Sequence, residues 1–266
     1  MKKFLVAILI MSAVYACSKV PVTGRKQINL VSDSEMNTMS LTSYNEFLTE
    51  NKNKVMTSGP EVVMVKKIGA NIAQAVTEYM KANKMESAIK DFKWEFNVVN
   101  DKTVNAWCMP GGKVVVYTGI MSVAKNETGL AVVMGHEIAH AVAKHGSERM
   151  SQGLLQEFGG AVLSQAVSQK SDLAKGLFMT AYGAGSNLLG VLPFSRLHES
   201  EADKLGLIFM AMAGYNPEEA ISFWQRMSAG SQGSQPEFLS THPSDDTRIK
   251  QIKEFLPEAL KYYNPK

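Results

Sequence analysis

Cysteine is nearly absent: 266 residues carry two, Cys17 and Cys108. A disulfide framework and a four-cysteine structural metal site are both excluded. A dominant charge is lacking too. Lys and Arg number 28 against 25 Asp and Glu, a formal net charge of +3, and no long run of like charge occurs. Such a balance gives no electrostatic case for nucleic acid as a partner. No internal repeat is visible, which sets solenoid folds aside. No stretch is apolar enough over about 20 residues to read as a bilayer span. Phe4 to Met11 is too short, and 176–194, though uncharged, is diluted by Thr180, Ser186, Asn187 and several glycines. That second stretch reads better as a buried or cleft-lining helical segment. Apolar residues make up 45% of the chain, enough for one sizeable core.

The opening segment, MKKFLVAILIMSAVYAC, has two lysines and then a short apolar run, the pattern of a signal peptide over 1–16. VYAC resembles a bacterial lipobox. That likeness implies a lipidated Cys17, a tether over 17–30 and one domain over 31–266. Ser18, where aspartate would favour retention, points to an outer-membrane lipoprotein of the bacterial envelope facing the periplasm. Loss of Lys2 and Lys3 brings the net charge to +1. Cys108 then stands alone and is expected to be a small buried residue.

The periodicity predicts helices over 34–51, with Ser32 or Ser34 as cap, and from Pro60 through Tyr79. Alternation over 94–98 and from Lys113 to Thr118 predicts strands, with a turn at Met109 to Gly112. Asn126 caps the next helix and Gly146 is expected to end it. Further helices follow over 196–212, ended by Gly214, over 217–227 and over 245–255, with a flexible stretch from Ser228 to Gln235 before the last. Helices, a short β unit, then helices again argue for α+β.

Within the helix after Asn126 lies VVMGHEIAHAVAKHG, residues 132–146. Positions four apart on a helix differ by about 40° around the axis and about 6 Å along it. His136 and His140 therefore face one ion, and Glu137 can lean over an open position beside them. This is the HExxH arrangement, two imidazole ligands for zinc and a general base. Two imidazoles and a carboxylate in so apolar a helix would be costly to bury without a purpose.

An open zinc site needs a third protein ligand. The metzincin pattern fails, because it wants glycine at position 143 and histidine at 146, where this chain has Ala143 and Gly146. His145, five residues from His140, is expected on another face, as a surface residue or one that supports a ligand. FSRLHESEADKLG, 194–206, supplies acids. Glu199 and Asp203 share a face: Glu199 is the candidate ligand, and Asp203 can hold the N–H of a ligand histidine. Glu201 is the rival, pointing about 200° away from Glu199. His198 is expected to face elsewhere.

HEIAH followed by SRLHESEAD is similar to the HExxH/ExxAD zinc metallopeptidase family that includes HtpX, the CAAX prenyl endopeptidases and the outer-membrane peptidases BepA and LoiP. A stand-alone bacterial lipoprotein member is the nearest form. PVTGRKQ, NAWCMPGGKVVVYTGIM, GYNPEEA and THPSDDTRI carry the likeness from Val20 to Phe255. The resemblance implies a mostly helical zincin (gluzincin) fold with a small β-sheet beside the HExxH helix, and one zinc ion on His136, His140 and Glu199. It implies an endopeptidase that cuts unfolded or misassembled envelope proteins with a metal-activated water, Glu137 acting as base. His242 would be a catalytic residue at the oxyanion, or a fourth ligand in a latent state, and Arg248 a substrate contact or a loop brace. Asn105 and Ala106 would contact substrate or serve the structure of the hairpin. The strand from Lys113 to Thr118 is expected to offer a free edge beside the metal, with Lys113 and Val115 along it. The alternative is a non-catalytic chaperone or assembly factor for outer-membrane proteins using the same groove. Partners would be unfolded polypeptides, a membrane through Cys17, and outer-membrane assembly machinery.

Overall fold

Period-two alternation splits the central strands between two cores. A computed structural model describes residues 17–20, 23–158, 176, 178–179, 181–182, 195–229, 236–243 and 246–265. Its main sheet contains β3 (Val55–Met56), β4 (Glu95–Val99), β5 (Ala106–Met109) and β6 (Lys113–Tyr117) in the order β3-β4-β6-β5. β4 and β6 run parallel; the other two pairings are antiparallel. Val98, Val114, Val116, Ala106 and Cys108 belong to one apolar cluster, and Val99, Val115, Trp107 and Met109 to the other. Successive side chains on a strand point to opposite faces, so the sheet separates two layers. The chain is therefore α+β, as its pattern implies, and mostly helical.

β1 (Cys17–Lys19) and β2 (Lys26–Ile28) form a separate two-stranded hairpin. α1 (Asp33–Glu50) starts in a capping box: the Ser32 hydroxyl accepts from the Glu35 N–H, and the Glu35 carboxylate accepts from the Ser32 N–H. Such a cap stabilises a helix start by about 1 kcal/mol. α1 lays Met36, Met39, Tyr44 and Phe47 on one sheet face. α2 (Pro60–Ala82), opened by proline at its first position, packs Val65, Ile68, Ile72 and Val76 on the other. α3 (Met121–Ala124) leads into α4 (Glu127–Val142), capped by Asn126, whose side chain accepts from the Gly129 N–H. Every residue from Gly129 to Val142 is buried, the signature of a helix packed on all sides. α5 (His145–Phe158), α6 (Arg196–Met212), α7 (Glu219–Ala229), α8 (Glu237–Thr241) and α9 (Asp246–Ala259) follow. No helix among the described residues is long and apolar enough to cross a membrane.

Three expectations change here. Gly146 does not end α4. The helix stops at Val142, Lys144 takes a left-handed conformation (φ 59°), and α5 begins at once. Gly146 is needed for packing instead, since a Cβ there would lie 2.1 Å from the Tyr182 ring. The strand from Lys113 is interior, not an edge; β5 is the edge strand beside α4. Residues 23–30, expected as tether, are folded against the domain. Thr23 donates to Glu201, and Arg25 bridges Glu201 and Glu148. The signal-peptide segment 1–16, most of 176–194 and the stretch 230–235 lie outside the described residues.

α4 and α6 meet at backbone contact. A Cβ built at Gly206 would lie 2.9 Å from the His136 backbone nitrogen and 3.0 Å from the Gly135 carbonyl carbon. Gly206→Ala should push the helices apart and cost about 1–3 kcal/mol, read as a lower urea midpoint. An unchanged midpoint would contradict this contact.

Burial alone would raise the Glu148 carboxyl, but hydrogen bonds from His198 and Arg25 outweigh it and pull the pKa down to about 2, from 4.5 in the open chain. A depressed carboxylate stabilises the fold above the unfolded pKa and loses that effect as pH falls towards the folded one. The stability gap between the natural chain and Glu148→Gln should therefore be full above pH 4.5 and shrink between pH 4.5 and about 2. Urea titrations across that range measure it; a gap independent of pH would contradict the pairing.

Candidate metal centre

α4 presents His136 and His140 one turn apart, with their Nε2 atoms 3.1 Å from each other. Across the Gly135–Gly206 contact, α6 presents Glu199. Ser195 caps that helix by accepting from the His198 N–H, so Glu199 sits in the first turn, where the helix dipole favours a carboxylate. Its two oxygens lie 3.3 Å from His140 Nε2 and 3.4 Å from His136 Nε2. His242, just after α8, brings Nδ1 to 3.0 Å from Glu199 Oε1 and 3.3 Å from His136 Nε2. The donor atoms of His136, His140, Glu199 and His242 all lie within 4.8 Å of one another. None of these four residues, nor Glu137, is more than 4% exposed.

These spacings match one ion. A tetrahedral zinc with ligands at about 2.0–2.1 Å has donor–donor edges of roughly 3.3–3.4 Å. Three imidazoles and one carboxylate are also a donor set that zinc favours. Glu199 Oε2 makes no hydrogen bond, although the Arg248 guanidinium is 2.7 Å away. Burial would raise the Glu199 carboxyl; His242, Arg248 and His136 overcome it and hold the group well below the usual carboxylate range. His140 is pushed well down by burial and is a neutral imidazole, the ligating form. At His136, burial and Arg248 oppose the charged form, yet Glu199 and Asp203 prevail and raise it to about 9. The residues present thus fit a zinc ion.

Glu137 stands beside this set. Its Oε1 is buried, makes no hydrogen bond and lies 3.5 Å from His242 Nε2. Burial raises its carboxyl, a direction that suits a base working near neutrality.

The surroundings orient the donors. Asp203 Oδ1 is 3.0 Å from His136 Nδ1. Arg248 clamps Asp203 through Nε at 2.8 Å and a terminal nitrogen at 2.7 Å, donates to the Pro243 carbonyl, and lies over the Trp224 ring. Arg248 is buried and fully engaged, so the substrate-contact alternative gives way to the brace. Phe238 stacks on His242, with centroids 4.5 Å apart. Of the two places expected for His145, on the surface or supporting a ligand, it takes the second: it is buried with Nδ1 2.9 Å from His140 Nδ1. The left-handed turn at Lys144 brings it back towards the ligand, which ideal helical spacing could not foretell. Glu201 points to His145 and Arg25, away from the donor cluster. His198 faces Glu148 and is no ligand.

The expected substrate contacts are differently placed. Lys113 is buried and ion-paired with Glu95, and Val115 lies in the core under α1. Neither lines an open edge, because β6 is paired on both sides. Asn105 donates to Glu237 and accepts from the Ala106 N–H; both residues are buried at the start of β5. Cys108 is buried, its thiol pushed well up by desolvation, and it takes no part in the donor cluster. Sequence reasoning passed over Trp224 and the Arg25–Glu148 pair. Only the PVTGRKQ segment carried a signal for the latter.

Comparisons with known proteins agree with this geometry. A model of peptidase family M48 matches residues 69–256. The chain is 35% identical over 243 residues to the mitochondrial metalloendopeptidase OMA1 of Schizosaccharomyces pombe, covering 90% of this chain and 66% of the relative. It is 30% identical over 248 residues to the mitochondrial metalloendopeptidase OMA1 of Homo sapiens, covering 91% and 46%. It is 29% identical over 161 residues to the beta-barrel assembly-enhancing protease of Escherichia coli, covering 59% and 33%. The chain thus spans about two thirds of the fission-yeast relative and under half of the human one.

These likenesses correct the expected location. Relatives matched over nine tenths of the chain are named as mitochondrial, whereas the bacterial assembly protease matches over about three fifths. A 17-residue opening pattern is too small a signal to outweigh a likeness along the whole chain, so the reading as an outer-membrane lipoprotein facing the periplasm is withdrawn. The side chain of Cys17, on which that reading turned, lies outside the described residues. The four-donor cluster, the HExxH helix and the match over 69–256 together mean that this chain belongs to peptidase family M48, a family of zinc metallopeptidases.

Proposed function

We propose that the chain is a zinc-dependent endopeptidase that hydrolyses peptide bonds in unfolded or misassembled polypeptides. The observation that carries the proposal is Glu137: a buried carboxylate with an unpaired oxygen, set against a cluster of four metal-type donors. His136, His140 and Glu199 would hold the ion, and His242, the fourth member of the donor cluster, would yield its position to the water during turnover. When bound, the ion supplies Lewis acidity, drawing electrons from a water and from a substrate carbonyl. Glu137 takes the proton from the attacking water and returns it to the leaving amine. His242, whose Nε2 faces Glu137 Oε1, offers an imidazole N–H to the developing oxyanion. Asp203, clamped by Arg248, keeps the His136 ring turned so that Nε2 faces the ion.

Substrate adds as a strand to the outer side of β5. That strand pairs only with β6 among the described residues and lies against α4. Main-chain pairing gives affinity with little demand on sequence, which suits extended, unfolded chains.

Glu137→Gln should keep one zinc ion per chain yet cleave a reduced, unfolded protein about 10²–10⁴-fold more slowly. Gel-based cleavage and metal analysis on the same preparation measure both. Undiminished cleavage by that variant removes Glu137 from the mechanism.

A further inference from the structure

The reading of a zinc site leaves a second buried cluster without a role. It consists of the buried His145, Glu148, His198 and Glu201, with the half-buried Arg25 at its edge, and it meets the HExxH helix through the His145–His140 pair. We propose that Glu201, held by Thr23 and Arg25 of the N-terminal hairpin, sets through His145 the ring tautomer of His140, and so ties metal affinity to docking of that hairpin.

His140 Nε2 lies in the donor cluster, and its Nδ1 lies 2.9 Å from His145 Nδ1. Two ring nitrogens at that distance share one proton, and its owner decides what His140 can do. If His145 owns it, neutral His140 carries its proton on Nε2 and cannot ligate. Glu201 breaks the tie. Its Oε2 is 3.1 Å from His145 Nε2 and accepts an N–H there. Neutral His145 is then bare at Nδ1 and accepts from His140 Nδ1–H. That leaves His140 Nε2 bare and facing the ion.

Glu201 is itself anchored from far away in sequence. The Thr23 hydroxyl donates to its Oε1 at 2.6 Å, and Arg25 Nε donates to Oε2 at 3.0 Å. The rest of the Arg25 fork grips Glu148 at 2.9 and 2.7 Å. Glu148 in turn meets His198 Nε2 at 3.0 Å, and the His198 ring stacks on His145 at 4.5 Å, 20° from parallel. Each helical histidine of the site thus has a carboxylate clamped by an arginine. Asp203 and Arg248 serve His136 directly; Glu201 and Arg25 serve His140 through one more ring. His145 and Glu201 are positioning residues, since neither supplies a donor atom to the cluster and both act through His140.

The inference rests on the zinc reading above, and the test separates the two. Zinc affinity of the purified full chain is measured by competition with a chromogenic chelator, with a thermal melt for every variant. His145→Phe removes the acceptor and should weaken zinc about 10–100-fold. His145→Asn puts a carbonyl oxygen where Nδ1 sits and should stay within a few-fold of the natural chain. Arg25→Met should weaken zinc in the same direction while the chain still melts cooperatively. Unchanged affinity in His145→Phe overturns the inference. So does a folded His145→Asn that falls as far as His145→Phe. An Arg25→Met chain that melts lower but binds zinc equally well overturns the part given to the hairpin. A natural chain that binds no zinc overturns the metal reading, and this inference with it.

Discussion

Three imidazoles and a carboxylate buried side by side require a positive charge at their centre. In this chain the requirement is acute, because none of the four residues is more than 4% exposed. Lone pairs held 3.0–3.4 Å apart repel unless a cation or a proton lies between them. The rest of the fold can be understood as what holds that geometry. α4 is apolar on every side, so it can run through the core with His136 and His140 at fixed height. α6 comes against it at Gly206, close enough for Glu199 to reach both rings. The sheet contributes β5, an edge strand laid along α4, and α8 carries the chain to His242.

Around the donors the charges are paired in a consistent way. Carboxylates that orient histidines are themselves gripped by arginines, which keeps them ionised despite burial. Arg248 lies over Trp224, so its guanidinium is fixed from below as well as by Asp203. Arg25 comes from the N-terminal hairpin and reaches residues more than 120 positions away. A segment that looks like a linker in composition is in this way part of the site's framework.

Local physics made much of this legible. The i, i+4 spacing of His136 and His140 fixes a shared face on any helix, and the same rule pairs Glu199 with Asp203 and turns Glu201 away. Ser32, Pro60 and Asn126 marked helix starts through their own chemistry. What escaped depends on contacts remote in sequence. Ideal helical spacing leaves His145 open between the surface and the support of a ligand, because the left-handed break at Lys144 carries no signal in sequence. The interior place of β6 carries no sequence signal, because strand order is set by a parallel pairing with β4 and alternation within one strand is silent about neighbours. The role of Arg25 is hidden because its partners lie on α5 and α6. The compartment is illegible for a different reason: a short leader-like pattern says little against the likeness of a whole domain.

Zinc-edge X-ray absorption on the purified chain tests the central claim most directly. The expected spectrum shows one ion per chain with a nitrogen and oxygen shell at about 2.0–2.1 Å and outer scattering from at least two imidazole rings. A sulfur shell at about 2.3 Å, or a chain that retains no ion, would contradict it.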